Sequence, residues 1–189
     1  MKTMTKNLAV VFIAFALALA FVGCANSGSD GGTTNSTKEG SDVKSQLTEL
    51  PNFNSTDLDG NQVTGDIFAQ KKYTVVNFWG TYCSPCIGEM AELATWSNEM
   101  DDNAQLIGVV IDATGTDAQE YETARSICSA KGVTFTNVCA NSTFSSTLSS
   151  LVAVPTTVIV DSNRQVVAGP IVGAQVDAYK SALEDLLAK

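Results

Sequence analysis

A buried strand that runs directly into a helix, with two cysteines at the junction, is the feature that most constrains the fold of this chain. Residues Tyr73–Trp79 (YTVVNFW) are rich in β-branched and aromatic side chains and predict a buried strand. From Cys86 onward, apolar residues recur at helical spacing, at Ile87, Met90, Leu93 and Ala94. The sequence therefore places Cys83 and Cys86 where a strand ends and a helix begins.

Strands and helices alternate along the rest of the chain. An Asp59-Gly60 turn between short extended segments predicts an opening β-hairpin. Further extended segments are predicted at Gln105–Ile111, Val133–Cys139, Thr156–Val160 and Arg164–Val172. Helices are predicted around apolar faces that run from Tyr121 to Cys128, from Phe144 to Leu151 and from Val176 to Leu187. This order predicts an α/β domain with a central mixed sheet flanked by helices on both faces and an N-terminal hairpin extension.

The N-terminal region predicts export and attachment to a membrane. Lys2 and Lys6 precede an apolar run, Leu8–Val22, which is typical of a secretory signal and short for a membrane span. Gly23-Cys24 resembles the lipobox of bacterial lipoproteins, in which the cysteine is lipidated. An ordinary cleaved signal or a short uncleaved anchor is the alternative, and both would also export the domain.

The predicted domain boundaries follow from a change in composition. Residues 1–23 are predicted to be the signal peptide. Residues 24–46 consist mostly of Gly, Ser, Thr and Asn and lack aromatic residues, so they cannot bury enough apolar surface to fold and predict a flexible tether. Residues 47–189 are predicted to form one domain of ordinary size.

Charge and the absence of histidine exclude several classes of function. The chain has 11 Lys and Arg against 20 Asp and Glu, for a net charge of -9, which would repel nucleic acid. It contains 0 His, which removes His-based catalytic triads and His-ligated metal or haem. We expect no metal and no dissociable cofactor.

Cys83-Ser84-Pro85-Cys86 predicts thiol chemistry. A cysteine at a helix N-terminus faces unsatisfied N–H groups and the positive end of the helix dipole, so it loses its proton more readily. We expect Cys83 to be an exposed nucleophile that attacks a disulfide and Cys86 to resolve the mixed disulfide, giving a redox-active pair. Half of a zinc site and a purely structural disulfide are the alternatives.

Three separated motifs in the correct order resemble the TlpA/ResA-like thiol-disulfide oxidoreductases, which have a thioredoxin-like fold. Residues 79–86 (WGTYCSPC) are similar to the family's WATWCxPC signature, with Tyr82 where Trp is commoner. Leu58-Asp59-Gly60 followed by residues 75–79 (VVNFW) matches its hairpin and first core strand. Residues 154–157 (VPTT) resemble its cis-proline loop. The resemblance covers Leu50 to Leu187.

The resemblance implies site residues beyond the cysteines. It implies that Pro155 is cis and holds Val154 against the cysteine pair, with Trp79 and Tyr82 also contacting substrate. A strand-initiating trans proline is the alternative. Asn77 stands where thioredoxin has a buried Asp, and Glu89 would supply the carboxylate that tunes the thiols. The alternative for Glu89 is a solvated residue on the helix surface.

The implied function is disulfide exchange with exported proteins on the extracytoplasmic face of a bacterial membrane. Reduction is favoured over oxidation, for example in cytochrome c maturation, and a membrane redox donor would then be a second partner. A peroxiredoxin-like thiol peroxidase is one rival, although residues 76–83 lack the PxxxT/SxxC setting of a peroxidatic cysteine. A binding lipoprotein with a structural Cys83–Cys86 disulfide is the other.

Cys128 and Cys139 lie outside the family motifs. Cys128 falls on the apolar face of its predicted helix and Cys139 at the end of the next extended segment. A structural second disulfide is the favoured interpretation in an oxidising compartment; two separate buried thiols and a redox relay are the alternatives.

Overall fold

The computed structural model describes residues 47–114 and 118–189. The predicted signal peptide, the predicted tether and the candidate lipidation site Cys24 lie outside the described residues. Within the described ranges no helix is both long enough and apolar enough to cross a membrane.

The described chain forms a five-stranded mixed sheet, a two-stranded hairpin and four α-helices. The strands are β1 Asn54–Thr56, β2 Gln62–Thr64, β3 Tyr73–Trp79, β4 Ala104–Val110, β5 Asn137–Cys139, β6 Thr156–Asp161 and β7 Val166–Val172. The helices are α1 Ser84–Glu99, α2 Ala118–Lys131, α3 Ser145–Ser150 and α4 Val176–Leu187. Two 3₁₀ turns, Gly65–Gln70 and Ser142–Phe144, complete the elements.

The sheet order is β5-β4-β3-β6-β7, with β3 at the centre. Strand β3 pairs parallel to β4, β4 pairs parallel to β5, and β6 runs antiparallel to both β3 and β7. Because β3, β4 and β5 are parallel, their carboxyl ends lie along one edge of the sheet, and β3 leads into α1 at that edge. The predicted mixed α/β architecture and the opening hairpin β1–β2 are confirmed.

Two strand predictions were too long. The segment predicted at Val133–Cys139 forms a strand only over its last three residues, which pair with Gly108–Val110 of β4. The residues before them form the loop that leaves α2 through Gly132, whose φ of 69° favours glycine. Similarly, Arg164 has a φ of 70° in a turn, so β7 begins only at Val166.

Alternation along β3 divides the core into two faces. Val75 and Trp79 pack on one face with residues of α1, α2 and α4, whereas Val76 and Phe78 pack on the other with the hairpin side of the domain. Side chains two residues apart in a strand share a face. Asn77 therefore points to the same face as Trp79, toward α1.

Candidate active site

Cys83 and Cys86 form a disulfide at the start of α1. Cys83 is the N-cap residue of the helix, and its Sγ accepts a hydrogen bond from the backbone N–H of Cys86 at 3.2 Å. Pro85 occupies the first turn, where its missing N–H has no intrahelical partner. The predicted strand-to-helix placement of the pair is confirmed, with Cys83 capping the positive end of the helix dipole.

The disulfide is nearly covered. Cys83 keeps 6% of its surface exposed and Cys86 keeps 0%. Cys83 was expected to be exposed, and in the oxidised protein this is wrong because most of its surface is covered. Its sulfur contacts the backbone N–H of Cys86 and lies 3.4 Å from the carbonyl oxygen of Val154. Of the two cysteines, only Cys83 keeps any surface exposed.

The Val154–Pro155 peptide is cis, as the resemblance implied, and it brings Val154 against the disulfide. Pro155 itself is buried, and its carbonyl oxygen accepts a hydrogen bond from Gly173 at 2.8 Å. Pro155 thus shapes the loop without facing solvent. A second cis peptide, Gly169–Pro170 in β7, was not predicted from the sequence.

The two aromatic candidates for substrate contact behave differently. Trp79 is fully buried, and its Nε1 donates to Oδ1 of Asn137 at 2.9 Å, so its predicted contact with substrate is wrong. As the last residue of β3 on the α1 face, it fills the core beneath the disulfide instead. Tyr82 is 68% exposed beside Cys83 and remains a candidate docking residue.

Glu89 is buried, which excludes the solvated helix-surface alternative. It lies one helical turn after Cys86 on the same face of α1. Its Oε1 accepts a hydrogen bond from Nδ2 of Asn77 at 2.9 Å, and its Oε2 accepts one from the hydroxyl of Tyr179 at 3.1 Å. Nδ2 of Asn77 also donates to Oγ1 of Thr157 in β6 at 2.9 Å. The carboxyl group of Glu89 in α1 is therefore held by side chains of β3 and α4, and the β3 side chain is in turn bound to β6.

Burial raises the pKa of Glu89 to about 7 from an ordinary value of 4.5, and the negative charge of Glu92 adds to the rise. The hydrogen bonds from Asn77 and Tyr179 oppose it because they favour the charged form. A carboxyl group that titrates near neutral pH can both take up and release a proton there.

Asn77 is a buried amide in contact with Glu89. It is 1% exposed, and its Oδ1 has no hydrogen-bond partner among the described residues. Its amide group is oriented so that Nδ2 donates one hydrogen bond to Glu89 and one to Thr157. This orientation suits a carboxylate neighbour.

Three polar residues of the site escape the sequence patterns. Thr157 lies in the VPTT segment without an assigned role, and Tyr179 is predicted only as part of the apolar stripe of α4. Asp112 is predicted only to end a strand. In the structure its carboxylate accepts hydrogen bonds from the backbone N–H of Thr81, at 2.9 and 3.1 Å, and from the Thr81 hydroxyl, at 2.6 Å. Asp112 therefore ties down the loop that precedes Cys83.

Cys128 and Cys139 are free thiols, so the favoured prediction of a second disulfide is wrong. Both side chains are buried, in α2 and at the end of β5. Burial raises the pKa of each to about 11, with an added rise from Asp59 for Cys128 and from Asp57 for Cys139. They are two buried core thiols that remain protonated at neutral pH.

Potential metal ligands are dispersed in the described ranges. Within residues 47–114 and 118–189 no group of three or more His, Cys, Asp or Glu side chains is placed to hold a metal ion.

Comparison with known proteins places this geometry in a family. The family model described as Redoxin matches residues 46–187. ResA, a thiol-disulfide oxidoreductase of Bacillus thuringiensis subsp. konkukian, is 39% identical over 69 residues, which cover 36% of this chain and 37% of that protein. A ResA from Bacillus cereus is 38% identical over 73 residues, 38% of this chain and 39% of that protein. The chain thus aligns with well under half the length of these curated relatives.

Solved structures extend the similarity over most of the chain. A thiol:disulfide interchange protein from Bacteroides sp. shares 25% identity at a TM-score of 0.58, covering 72% of this chain and 87% of that one. The thioredoxin domain of a thiol-disulfide oxidoreductase from Bacteroides vulgatus gives a TM-score of 0.58 at 23% identity, covering 72% of this chain and 94% of that one. The predicted thioredoxin-like fold is confirmed. The match of the family model over residues 46–187 shows that the chain belongs to the Redoxin family.

Proposed function

We propose that this protein is a thiol-disulfide oxidoreductase that exchanges its Cys83–Cys86 disulfide with cysteines of other proteins. The observation that carries the proposal is the disulfide at the N-terminus of α1, which joins a cysteine with a small exposed surface, Cys83, to a fully buried one, Cys86. The similarity to proteins described as thiol-disulfide oxidoreductases supports it.

The reduced protein acts as the electron donor in the favoured direction. The Cys83 thiolate attacks a partner disulfide, so that a bond forms between Cys83 and one partner sulfur while the other partner sulfur leaves as a thiolate and takes a proton from solvent. Cys86 then loses its proton and attacks Sγ of Cys83. The internal disulfide re-forms, the second partner thiolate departs, and the partner is reduced by two electrons.

The start of α1 suits the Cys83 step. The N–H of Cys86, which bonds to the Cys83 sulfur at 3.2 Å, and the helix dipole both stabilise negative charge at that atom. The Val154 carbonyl, 3.4 Å from the sulfur, lies where an extended partner segment would align its backbone. Exposed Tyr82 gives such a partner an apolar contact beside the reacting sulfur.

Glu89 serves the Cys86 step in this proposal. Cys86 is fully buried and cannot lose its proton directly to solvent. Glu89 lies one turn away on the same helix face, and its pKa of about 7 allows it to accept that proton as a carboxylate and return it later. Asn77 cannot take this part because an amide does not titrate.

The cellular setting in the proposal comes from the sequence and the relatives. The predicted signal and Cys24 favour a lipid-anchored protein on the extracytoplasmic side of a bacterial membrane, where its partners are exported proteins and its electrons come from a membrane redox donor. The resemblance of the sequence motifs to the TlpA/ResA-like family implies a reductant, with cytochrome c maturation as the candidate pathway.

A trapping experiment tests the function. In the full chain expressed in a bacterial envelope, Cys86→Ser leaves Cys83 able to attack but removes the resolving thiol, so a covalent adduct with partner proteins should accumulate. Non-reducing gels and mass spectrometry of the adduct identify the partner cysteine. The control is the Cys83→Ser/Cys86→Ser double variant, which should trap nothing.

Two results would contradict the function. If Cys86→Ser traps no protein, disulfide exchange with proteins is not its activity. Adducts that persist in the double variant would mean that one of the other cysteines, Cys24, Cys128 or Cys139, reacts instead.

A further inference from the structure

The hydroxyl group of Tyr179 has more acceptors around it than it has protons. It lies 2.6 Å from the carbonyl oxygen of Gly173 and 3.1 Å from Oε2 of Glu89, and it accepts a hydrogen bond from the N–H of Gln175 at 3.1 Å. A phenol carries one proton and can donate to only one acceptor at a time. Since burial also keeps the pKa of Tyr179 above its usual range, this proton stays on the phenol at neutral pH.

The charge on Glu89 decides which acceptor receives that proton. A carboxylate is the stronger acceptor, so with Glu89 ionised the phenol donates to Oε2. When Glu89 is protonated, Oε2 best carries the proton, because Oε1 already accepts from Asn77. Glu89 then donates to the Tyr179 oxygen, and the phenol donates to Gly173.

We propose that Tyr179 is a positioning residue that serves Glu89 in both protonation states, by turning its single proton between Glu89 and the carbonyl of Gly173. The inference deepens the proposed function, since it rests on Glu89 exchanging a proton during the reaction. No bond to carbon or sulfur changes in this step. One O–H group rotates, and one proton enters or leaves Glu89.

Among the groups around Glu89, Tyr179 is the partner that can either donate a hydrogen bond to Glu89 or accept one from it. From β3 comes the neutral side chain of Asn77, which does not titrate, and behind it Thr157 of β6 contacts Asn77 and Tyr179. From α4 comes Asp177, which lines the same cleft as Glu89. From α1 itself come Glu92, paired with Lys180 of α4 at 2.7 Å, and the cysteines one turn earlier. Only Tyr179 both contacts Oε2 and has a second acceptor, Gly173, within hydrogen-bond distance among the described residues.

A cleft gives Glu89 a route for proton exchange with solvent. An open space of about 630 Å³ lies between the first turns of α1 and α4, and its walls include Pro85, Gly88, Glu89 and Gln175. Because Glu89 lines this cleft, a proton taken from the interior can leave without the domain opening.

The competing explanation is that Tyr179 only anchors the turn before α4. Its bonds to Gly173 and Gln175 would then persist unchanged while Glu89 titrates. The two explanations differ because a moving phenol proton changes the hydrogen bond that the Gly173 carbonyl accepts, and that change requires the Tyr179 hydroxyl. A shift of Gly173 caused only by the field of the Glu89 charge would persist in Tyr179→Phe and would overturn the proposal.

The test is a pH titration of the oxidised full chain by NMR, with ¹³C-labelled Glu carboxyl and Gly carbonyl groups and Glu89→Gln to assign the Glu89 signal. We expect Glu89 to titrate near pH 7 and the Gly173 carbonyl to shift with the same midpoint. The carbonyl of Leu58, which accepts from Tyr121 at 2.8 Å, is the internal control and should not follow that midpoint. A Gly173 signal that stays flat while Glu89 titrates would overturn the proposal.

Tyr179→Phe provides the second measurement, since it keeps the ring and removes only the hydroxyl. Loss of a charge-assisted bond should raise the proton affinity of Glu89 by roughly three- to tenfold and abolish the Gly173 shift. Tyr121→Phe is the matched control and should change neither. An unchanged Glu89 midpoint in Tyr179→Phe would also overturn the proposal. Neither measurement uses thiol chemistry, so a failure of the trapping experiment and a failure here are distinguishable.

Discussion

Two cysteine pairs lie along the same side of this domain and differ in almost every physical property. Trp79, the last residue of β3 before the disulfide loop, pairs with Val110 of β4, and Val110 pairs with Cys139 of β5. Cys139 therefore lies two strands away from Trp79 at the same end of the sheet. Yet Cys83 and Cys86 are joined, whereas Cys128 and Cys139 remain free thiols.

The difference arises from what surrounds each sulfur. Cys83 caps a helix and accepts an N–H hydrogen bond, which favours a thiolate. Cys128 and Cys139 face apolar neighbours and nearby Asp carboxylates, and burial raises the pKa of both to about 11. Compartment and cysteine count favoured a second disulfide, but packing gave these two cysteines a core role.

The largest expected effect tests whether the two pairs differ in function. Cys83→Ala should lower the rate of insulin disulfide reduction by at least about a thousandfold, because the attacking sulfur is lost. Cys139→Ala should stay within about twofold of the wild type, because this thiol is buried and protonated. The rate is followed by insulin turbidity with dithiothreitol as the electron source. A comparable loss in Cys139→Ala would revive the redox relay and break the comparison.

A second prediction concerns how the free energy of unfolding depends on pH. Glu89, beside the disulfide, and the free thiol of Cys139 should contribute differently to it. The folded protein holds the Glu89 proton up to about pH 7, whereas the unfolded chain releases it near 4.5. Native Glu89 therefore binds more protons in this window, and its stabilising contribution, present below pH 4.5, is lost as the pH rises through 7. The free energy of unfolding should fall by about 3 kcal/mol from this group. Urea unfolding of the oxidised protein at several pH values measures it.

Two variants sharpen that measurement. Glu89→Gln should remove most of the decline, because an amide has no proton to release. Cys139→Ala should leave the decline unchanged, since a thiol with a pKa of about 11 stays protonated throughout the window. If the slope persisted in Glu89→Gln, another group would have to cause it.

The smallest expected effect concerns the surface beside the reactive pair. Tyr82→Ala should raise KM for a protein disulfide by roughly three- to tenfold, because an exposed aromatic contact is lost. The free energy of unfolding should change by no more than about 0.5 kcal/mol, as is usual for exposed positions. Val167→Ala, which is 39% exposed near the start of β7, should leave KM unchanged. An unchanged KM in Tyr82→Ala would exclude a docking role for this ring.

The sequence predicted the parts of the site that depend on local patterns. β-branched and aromatic residues predicted β3, apolar spacing predicted α1, and the junction between them located Cys83 and Cys86. The VPTT motif led to the cis peptide at Pro155. Burial of single side chains was harder to predict: the motif around the cysteines implies a surface contact for Trp79, although its side chain alternates inward.

Contacts between distant segments could not be predicted from one sequence. Tyr179 lies 90 residues after Glu89, and Asp112 lies 31 residues after Thr81. No local pattern separates a tyrosine that fills a helix stripe from one whose hydroxyl reaches a buried acid. Likewise, two cysteines in an oxidising setting do not reveal whether their sulfurs meet.

By itself the sequence determined the order of strands and helices, the position of the cysteine pair at a helix N-terminus and the absence of histidine chemistry, because these follow from composition and local periodicity. Only the tertiary structure decided that Glu89 is buried against Asn77 and Tyr179, that Cys86 is sealed from solvent, and that Cys128 and Cys139 stay unpaired. Burial and hydrogen bonding set protonation, and both depend on which distant segments pack together.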